Sequence, residues 1–242
     1  MAKRARRSKG RKKGGKSRWL VRLVAAIVLA AMLGYGWLWW EQRSFRPDEE
    51  KYPDQGALVG AQDGAVAFNT LRGLGAGFVY LEASDGAGRK DAAFPDNFAE
   101  ARAARLQIGA VHRFDPCVTA DGQSANFVTV VPRDTELLPP AIVLDRTAED
   151  CPDRVSRAAI QSELMTLINQ IEAHSGKPVL LAPSEEFEDA YRVAARIERN
   201  LWLARDRFEP VYGGRPWLLW TANAGFQTEA AQRPLRWVVV RP

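Results

Sequence analysis

The chain carries few residues equipped for nucleophilic or metal chemistry, and their spacing argues against most of it. Its only histidines are His112 and His174, so a histidine-rich metal site is excluded and no metal or other cofactor is expected. Serines occur, but none lies in a Gly-x-Ser-x-Gly elbow, the sharp turn that exposes a nucleophilic hydroxyl. Neither cysteine has a local histidine partner to take its proton. Gly73-Leu74-Gly75-Ala76-Gly77 is glycine-rich but precedes a strand-like run rather than opening a helix. It reads as a tight turn, not a phosphate cradle. Cys117 and Cys151 sit beside Pro116 and Pro152 in loop-like sequence and match no metal spacing. An oxidising compartment would allow a disulfide between them; spacing alone leaves free thiols equally open.

The elements that would position a site alternate along the chain. Apolar runs at Phe78–Leu81, Gln107–Val111, Ala141–Leu144, Pro178–Leu181, Leu201–Ala204, Trp217–Trp220 and Trp237–Val240 read as buried strands. Helical patterns fall between them at Ala67–Gly73, Asn97–Arg105, Arg154–His174 and Glu185–Ala195. In the third of these, Ile160, Leu164, Leu167, Ile168 and Ile171 recur at three- and four-residue spacing, and Gly176 with Pro178 supplies the stop. Buried strands alternating with helices predict a parallel α/β architecture. The last third has less helix between strands, which predicts a short, irregular barrel rather than eight full βα units.

Charge separates the chain into parts. Residues 1–22 hold 11 of the 34 basic residues and no acid, leaving 23 basic and 29 acidic residues beyond. The high pI therefore belongs to the tail, and nucleic acid is not the expected partner of the rest. Leu23 to Trp40 runs without a charge, about 27 Å of helix, close to the apolar thickness of a bilayer. Trp19 precedes it and Trp37, Trp39 and Trp40 end it, as interfacial aromatics do. The predicted organisation is a basic cytoplasmic tail (1–22), a transmembrane helix (23–40), a polar linker (41–55) and one domain (56–242). Basic residues before the span predict a cytoplasmic N-terminus and an exported domain. A cleaved signal peptide is the competing reading, but a bulky Trp-Leu-Trp-Trp run stands where small residues would be cut.

Along residues 56–242 the order of motifs resembles the glycoside hydrolase family 25 lysozymes, the N-acetylmuramidases. Gly56-Ala57-Leu58-Val59-Gly60 is similar to the family's Gly-Ile-Asp-Val-Ser start, with Asp63-Gly64 and Phe68 following. Gly77 to Gly86 resembles the strand that ends Lys-Ala-Thr-Glu-Gly, and Ile108-Gly109-Ala110-Val111-His112-Arg113-Phe114 the Val-Gly-Ala-Tyr-His-Phe strand. Leu138 to Asp145 is similar to the strand carrying an Asp-x-Glu pair, and Leu201–Ala204 and Trp217–Trp220 to the last barrel strands. The resemblance implies a flattened TIM-like (β/α) barrel with active groups at the C-terminal strand ends, directed at bacterial peptidoglycan. With the anchor, it places the domain in the periplasm or on the outer face of a bacterial inner membrane.

The same resemblance assigns candidate residues and shows where they depart from the pattern. Glycoside hydrolysis needs one carboxylic acid to protonate the leaving oxygen and a second carboxylate at the sugar carbon. Asp145 matches the Asp of the pair, but its partner position is Thr147, and the family's early Asp falls on Leu58. Neither threonine nor leucine can donate a proton near neutral pH. Asp85 keeps the acid of the second motif, and its Lys is replaced by Glu82; Thr221 stands for a late Gln. Glu149 shares strand parity with Asp145 and could substitute as the acid only if a turn brought it back. Asp145 also reads as an ordinary strand-end cap. His112, Tyr80 and Trp220 are candidate cleft residues for substrate; His112 reads as a cleft-lining or core histidine rather than a catalytic base, and Trp220 reads equally as a sugar-stacking or a core aromatic. The resulting expectation is a glycan-binding domain with lost or reduced muramidase activity, an active divergent muramidase being the alternative.

Overall fold

The computed structural model describes residues 15–242. Most of the basic tail therefore lies outside the described residues. Helix α1 (Gly15–Ser44) contains an apolar stretch, Val21–Ser44, of mean hydropathy 1.9, none of it buried. Its length and composition suit a membrane crossing, and a signal sequence meets the same test. The chain divides after Gln42 into this N-terminal unit and a second unit, Arg43–Pro242.

The second unit runs β1 (Gln55–Val59), α2 (Phe68–Gly73), β2 (Ala76–Asp85), β3 (Arg89–Lys90), α3 (Phe94–Ala103), β4 (Gln107–Arg113), α4 (Ala120–Val128), β5 (Ala141–Leu144), α5 (Arg157–Ser175), β6 (Leu180–Pro183), α6 (Glu185–Tyr191), α7 (Val193–Arg196), β7 (Trp202–Ala204), β8 (Leu219–Phe226) and β9 (Leu235–Val240). The strands lie in the order β6-β5-β4-β2-β1-β9-β8-β7, with β3 paired to β2 alone. A parallel bridge between Leu181 and Leu201 joins the two outer strands, so the sheet is a nearly closed barrel.

Side-chain alternation builds two apolar layers. Leu58, Phe78, Tyr80, Val111, Ala141, Leu180, Trp202, Leu219 and Val238 pack inside the barrel. Residues of opposite parity, such as Val59, Val79, Leu81, Ile142, Leu181 and Val239, pack outward with Leu164, Ile168 and Ile171 of α5. Tyr80 lies over Gly109 on the next strand: a Cβ there would stand 2.2 Å from its ring, so only glycine fits.

Local signals explain where the expected elements shift. Helix α5 begins at Arg157 rather than Arg154 because Ser156 caps it, accepting the Ala159 N–H at 3.1 Å. The predicted helix Glu185–Ala195 is two helices. Arg192 takes a left-handed φ of 53°, and Glu188 Oε2 caps the second helix by accepting the Ala194 N–H at 2.9 Å. The all-parallel expectation is corrected at β9, which runs antiparallel to both β1 and β8. The reason is that only residues 227–234 separate β8 from β9, too short for a helical crossover.

With no helix between β8 and β9, their outward Trp220 and Trp237 need another cover, and the segment read as a free linker supplies it. Gln227 N–H donates to the Arg43 carbonyl at 2.8 Å, and Asn223 Nδ2 donates to the Phe45 carbonyl at 3.0 Å. Arg46 lies over the Trp237 ring, and Tyr52 packs on Trp217 and Trp220. Residues 43–54 are thus part of the folded unit, a correction to the linker 41–55. The hydrogen bonds and ring contacts outweigh the freedom that the prolines and charges of this stretch imply.

Candidate functional site

At the C-terminal ends of the parallel strands the inward positions change from apolar to charged. Two residues beyond Tyr80 stands Glu82, two beyond Val111 stands Arg113, and two beyond Val143 stands Asp145. On β9 the inward residue next to Val238 is Arg236, directly across the ladder from Leu58. These groups form one alternating chain: Asp145 pairs with Arg113, Arg113 with Glu82 at 3.4 Å, Glu82 with Arg236 at 2.5 Å, and Arg236 with Asp63 at 3.1 Å. Asp63 Oδ2 also accepts the Gly60 N–H at 2.7 Å, closing the turn after β1. Burial pushes the Asp63 carboxyl above its ordinary range, against the pull of Arg236 and that N–H.

Asp85 is held separately. Arg146 donates to both its oxygens, at 2.6 and 2.7 Å, and Arg89 reaches it at 2.7 Å. Burial alone would raise this carboxyl, but the two guanidinium groups outweigh it and hold it below the ordinary range. The Asp85 pairing raises Arg146 in turn. Asp91 is spent on backbone: its oxygens accept the Ala61 and Ala93 N–H groups, each at 2.8 Å. A cavity of about 320 Å³ opens among these groups, lined by Glu82, Ser84, Asp85, Arg89, Lys90, Asp91 and Arg113.

The candidate residues therefore disperse. Asp145 and Asp85 stand at the barrel mouth, both paired with arginine. Thr147 is buried at the start of a short 3-10 turn, Ala148–Asp150, and Glu149 lies exposed on that turn, outside the residues lining the cavity. Leu58 belongs to the barrel interior.

His112 is corrected from a cleft residue to a core one. Strand alternation between the inward Val111 and Arg113 turns it away from the mouth, fully buried against Phe127 of α4, and a register shift between Glu82 and Ser84 brings Ser84 opposite it. Its Nδ1 bonds to Ser84 Oγ at 2.8 Å and its Nε2 to Gln123 Oε1 at 3.2 Å. Burial depresses its pKa to about 4. Trp220 is corrected in the same way: it is 2% exposed on the outward face of β8, its Nε1 donating to the Arg205 carbonyl at 2.8 Å. Tyr80 is also withdrawn from the mouth. It is 2% exposed and donates its hydroxyl to the Pro139 carbonyl at 3.0 Å, and burial pushes its phenol pKa upward. Cys117 and Cys151 are joined as a disulfide, Cα atoms 5.3 Å apart.

The arginines were the signal that motif reading passed over. Arg113 and Arg236 each stand two residues from an inward apolar position, so strand parity alone places them at the mouth.

An α/β barrel with its charged groups gathered at the C-terminal strand ends has the arrangement of barrel enzymes in general. Glycosyl hydrolases family 25 matches residues 59–232, and the chain belongs to that family. Among solved structures, a family 25 glycosyl hydrolase from Bacillus anthracis superposes with a TM-score of 0.73 at 23% identity, covering 83% of this chain and 93% of that one. A bacterial lysozyme from Streptomyces coelicolor gives 0.68 at 18% identity, covering 78% and 92%. A family GH25 lysozyme from Aspergillus fumigatus gives 0.65 at 16%, covering 78% and 94%. At these identities the likeness is one of fold. No curated protein sequence matches the chain.

Proposed function

We propose that the protein is a membrane-anchored member of family 25 whose barrel mouth meets peptidoglycan glycan and no longer hydrolyses it. The substrate class comes from the family and from relatives of the same fold that are lysozymes and muramidases. The observation that carries the loss of hydrolysis is the pairing of both retained acids with arginine, Asp145 with Arg113 and Asp85 with Arg146.

A glycosidase acid must hold a proton near neutral pH, which demands a carboxyl raised by burial or by a like charge. Guanidinium partners act in the opposite sense. Asp85 is depressed below its ordinary range by Arg146 and Arg89. Asp63 is raised, but it is 5% exposed and bound to the Gly60 N–H, holding a turn. Leu58 and Thr147 stand where the family resemblance would put an Asp and a Glu, and neither can supply the missing proton.

The anchor half of the reading rests on α1 and on the basic residues before it. A cationic tail retained in the cytoplasm would orient the span and export the barrel.

The full chain in detergent, mixed with purified sacculi, tests both halves at once. Sedimentation with the sacculi and no release of soluble muropeptides is the expected result. Release would return the protein to the active muramidases. Failure to sediment would remove the glycan from the account.

A further inference from the structure

Outside α1, the large apolar side chains more than half exposed among the described residues are Phe208, at 65%, and Val211, at 76%. Both lie on one loop, residues 205–213, between β7 and β8. The loop is well bonded. Arg205 and Arg207 donate their N–H groups to the Thr221 and Ala222 carbonyls at 3.2 and 2.8 Å. Asp206 Oδ1 accepts the Ala224 N–H at 2.7 Å, and Tyr212 donates its hydroxyl to the Pro183 carbonyl at 2.9 Å. Arg207 adopts a left-handed φ of 67°, an unfavourable region for its side chain that the flanking bonds hold in place. The apolar tips are thus presented by a fixed backbone.

The loop's neighbour is the stretch that follows the apolar helix. Phe208 lines a cavity of about 370 Å³ together with Phe45, Pro47 and Lys51. Phe45 follows directly on Ser44, the last residue of the candidate span. Arg207 lies over the Phe45 ring at 5.4 Å, and Arg205 over the Phe208 ring at 5.7 Å. Of the acids beside the loop, Asp206 accepts a backbone N–H, Glu209 is engaged by Lys51 at 2.6 Å and the Tyr52 hydroxyl at 2.5 Å, and Asp48, which lines the same cavity, accepts the Glu50 N–H at 3.0 Å. Exposed aromatic and aliphatic tips flanked by arginines match what an anionic bilayer interface takes up.

We propose that Phe208 and Val211, flanked by Arg205 and Arg207, form a lipid-docking surface that enters the headgroup region of the membrane α1 crosses. The inference rests on the reading of α1 as a retained anchor. Chain continuity supplies the occupant: a span ending at Ser44 puts Phe45, and the loop packed beside it, next to the bilayer surface.

The described cysteines are both in the disulfide, so one introduced thiol can be labelled alone. The full chain carrying Phe208→Cys, Val211→Cys, Met165→Cys or Leu33→Cys is labelled with a polarity-sensitive fluorophore. It is then reconstituted into phosphatidylcholine–phosphatidylglycerol vesicles containing spin-labelled lipid. All four positions are exposed, which spares the fold.

The account predicts quenching at Leu33 by label deep in the acyl chains. It predicts quenching at Phe208 and Val211 by headgroup-level label about threefold above that at Met165 on α5, as for residues seated in the interface. Quenching at Phe208 and Val211 no greater than at Met165, with Leu33 quenched, overturns the docking surface and leaves the anchor standing. An unquenched Leu33 overturns the anchor and the docking surface together.

Discussion

Leu58 and Arg236 face each other across the antiparallel pair of β1 and β9. An aliphatic side chain thus stands where the family resemblance expects an acid, and a cation beside it has turned to Glu82 and Asp63 instead. Arg236→Met would leave Asp63, 5% exposed, without its cation. Breaking a buried pair from one side costs about 3 kcal/mol or more. Urea unfolding at pH 7 should show that loss. Leu58→Asp, which offers the same cation a further carboxylate, should cost less than Arg236→Met.

The core histidine gives the fold an acid-sensitive step. His112 titrates near 4 in the folded chain against an ordinary 6.5. Between those values the unfolded chain binds a proton that the folded chain refuses. Stability from this group is whole above about pH 6.5 and falls by about 3 kcal/mol as the pH drops towards 4. Urea midpoints measured from pH 7 to pH 4 should carry this slope. His112→Asn, which does not titrate there, should lack this component of it.

The disulfide closes a span of 34 residues that ties the loop before α4 to the loop after β5. Loop-closure entropy assigns such a link about 3.8 kcal/mol. Paired Cys117→Ser and Cys151→Ser substitutions should lower the urea midpoint correspondingly, and reductant should do the same to the parent chain while leaving the double variant unchanged.

Strand and helix positions were legible wherever periodicity was strong. The expected strand Ala141–Leu144 coincides with β5, and the expected core stripe of α5 is the buried one. The short β1 was hidden inside a motif, and α4 went unread because Ala120 to Val128 mixes Gly, Asn, Ser and Gln with its apolar residues. Segment 43–54 could not be read as cover, since its partners Asn223, Gln227 and Trp237 are distant in sequence. At the site, Asp145 and Asp85 were found by motif. Their pairing with Arg113 and Arg146 was not, because an ion pair is a fact of three dimensions.

The account's central claim is that the barrel mouth lacks a proton donor. Mass spectrometry of soluble muropeptides after long incubation of the full chain with purified peptidoglycan tests it most directly. The chain and its Asp145→Asn variant should both yield only the background of a protein-free control. Release by the parent chain that Asp145→Asn abolishes would contradict the claim, showing that a carboxylate pairs with Arg113 and still does the chemistry.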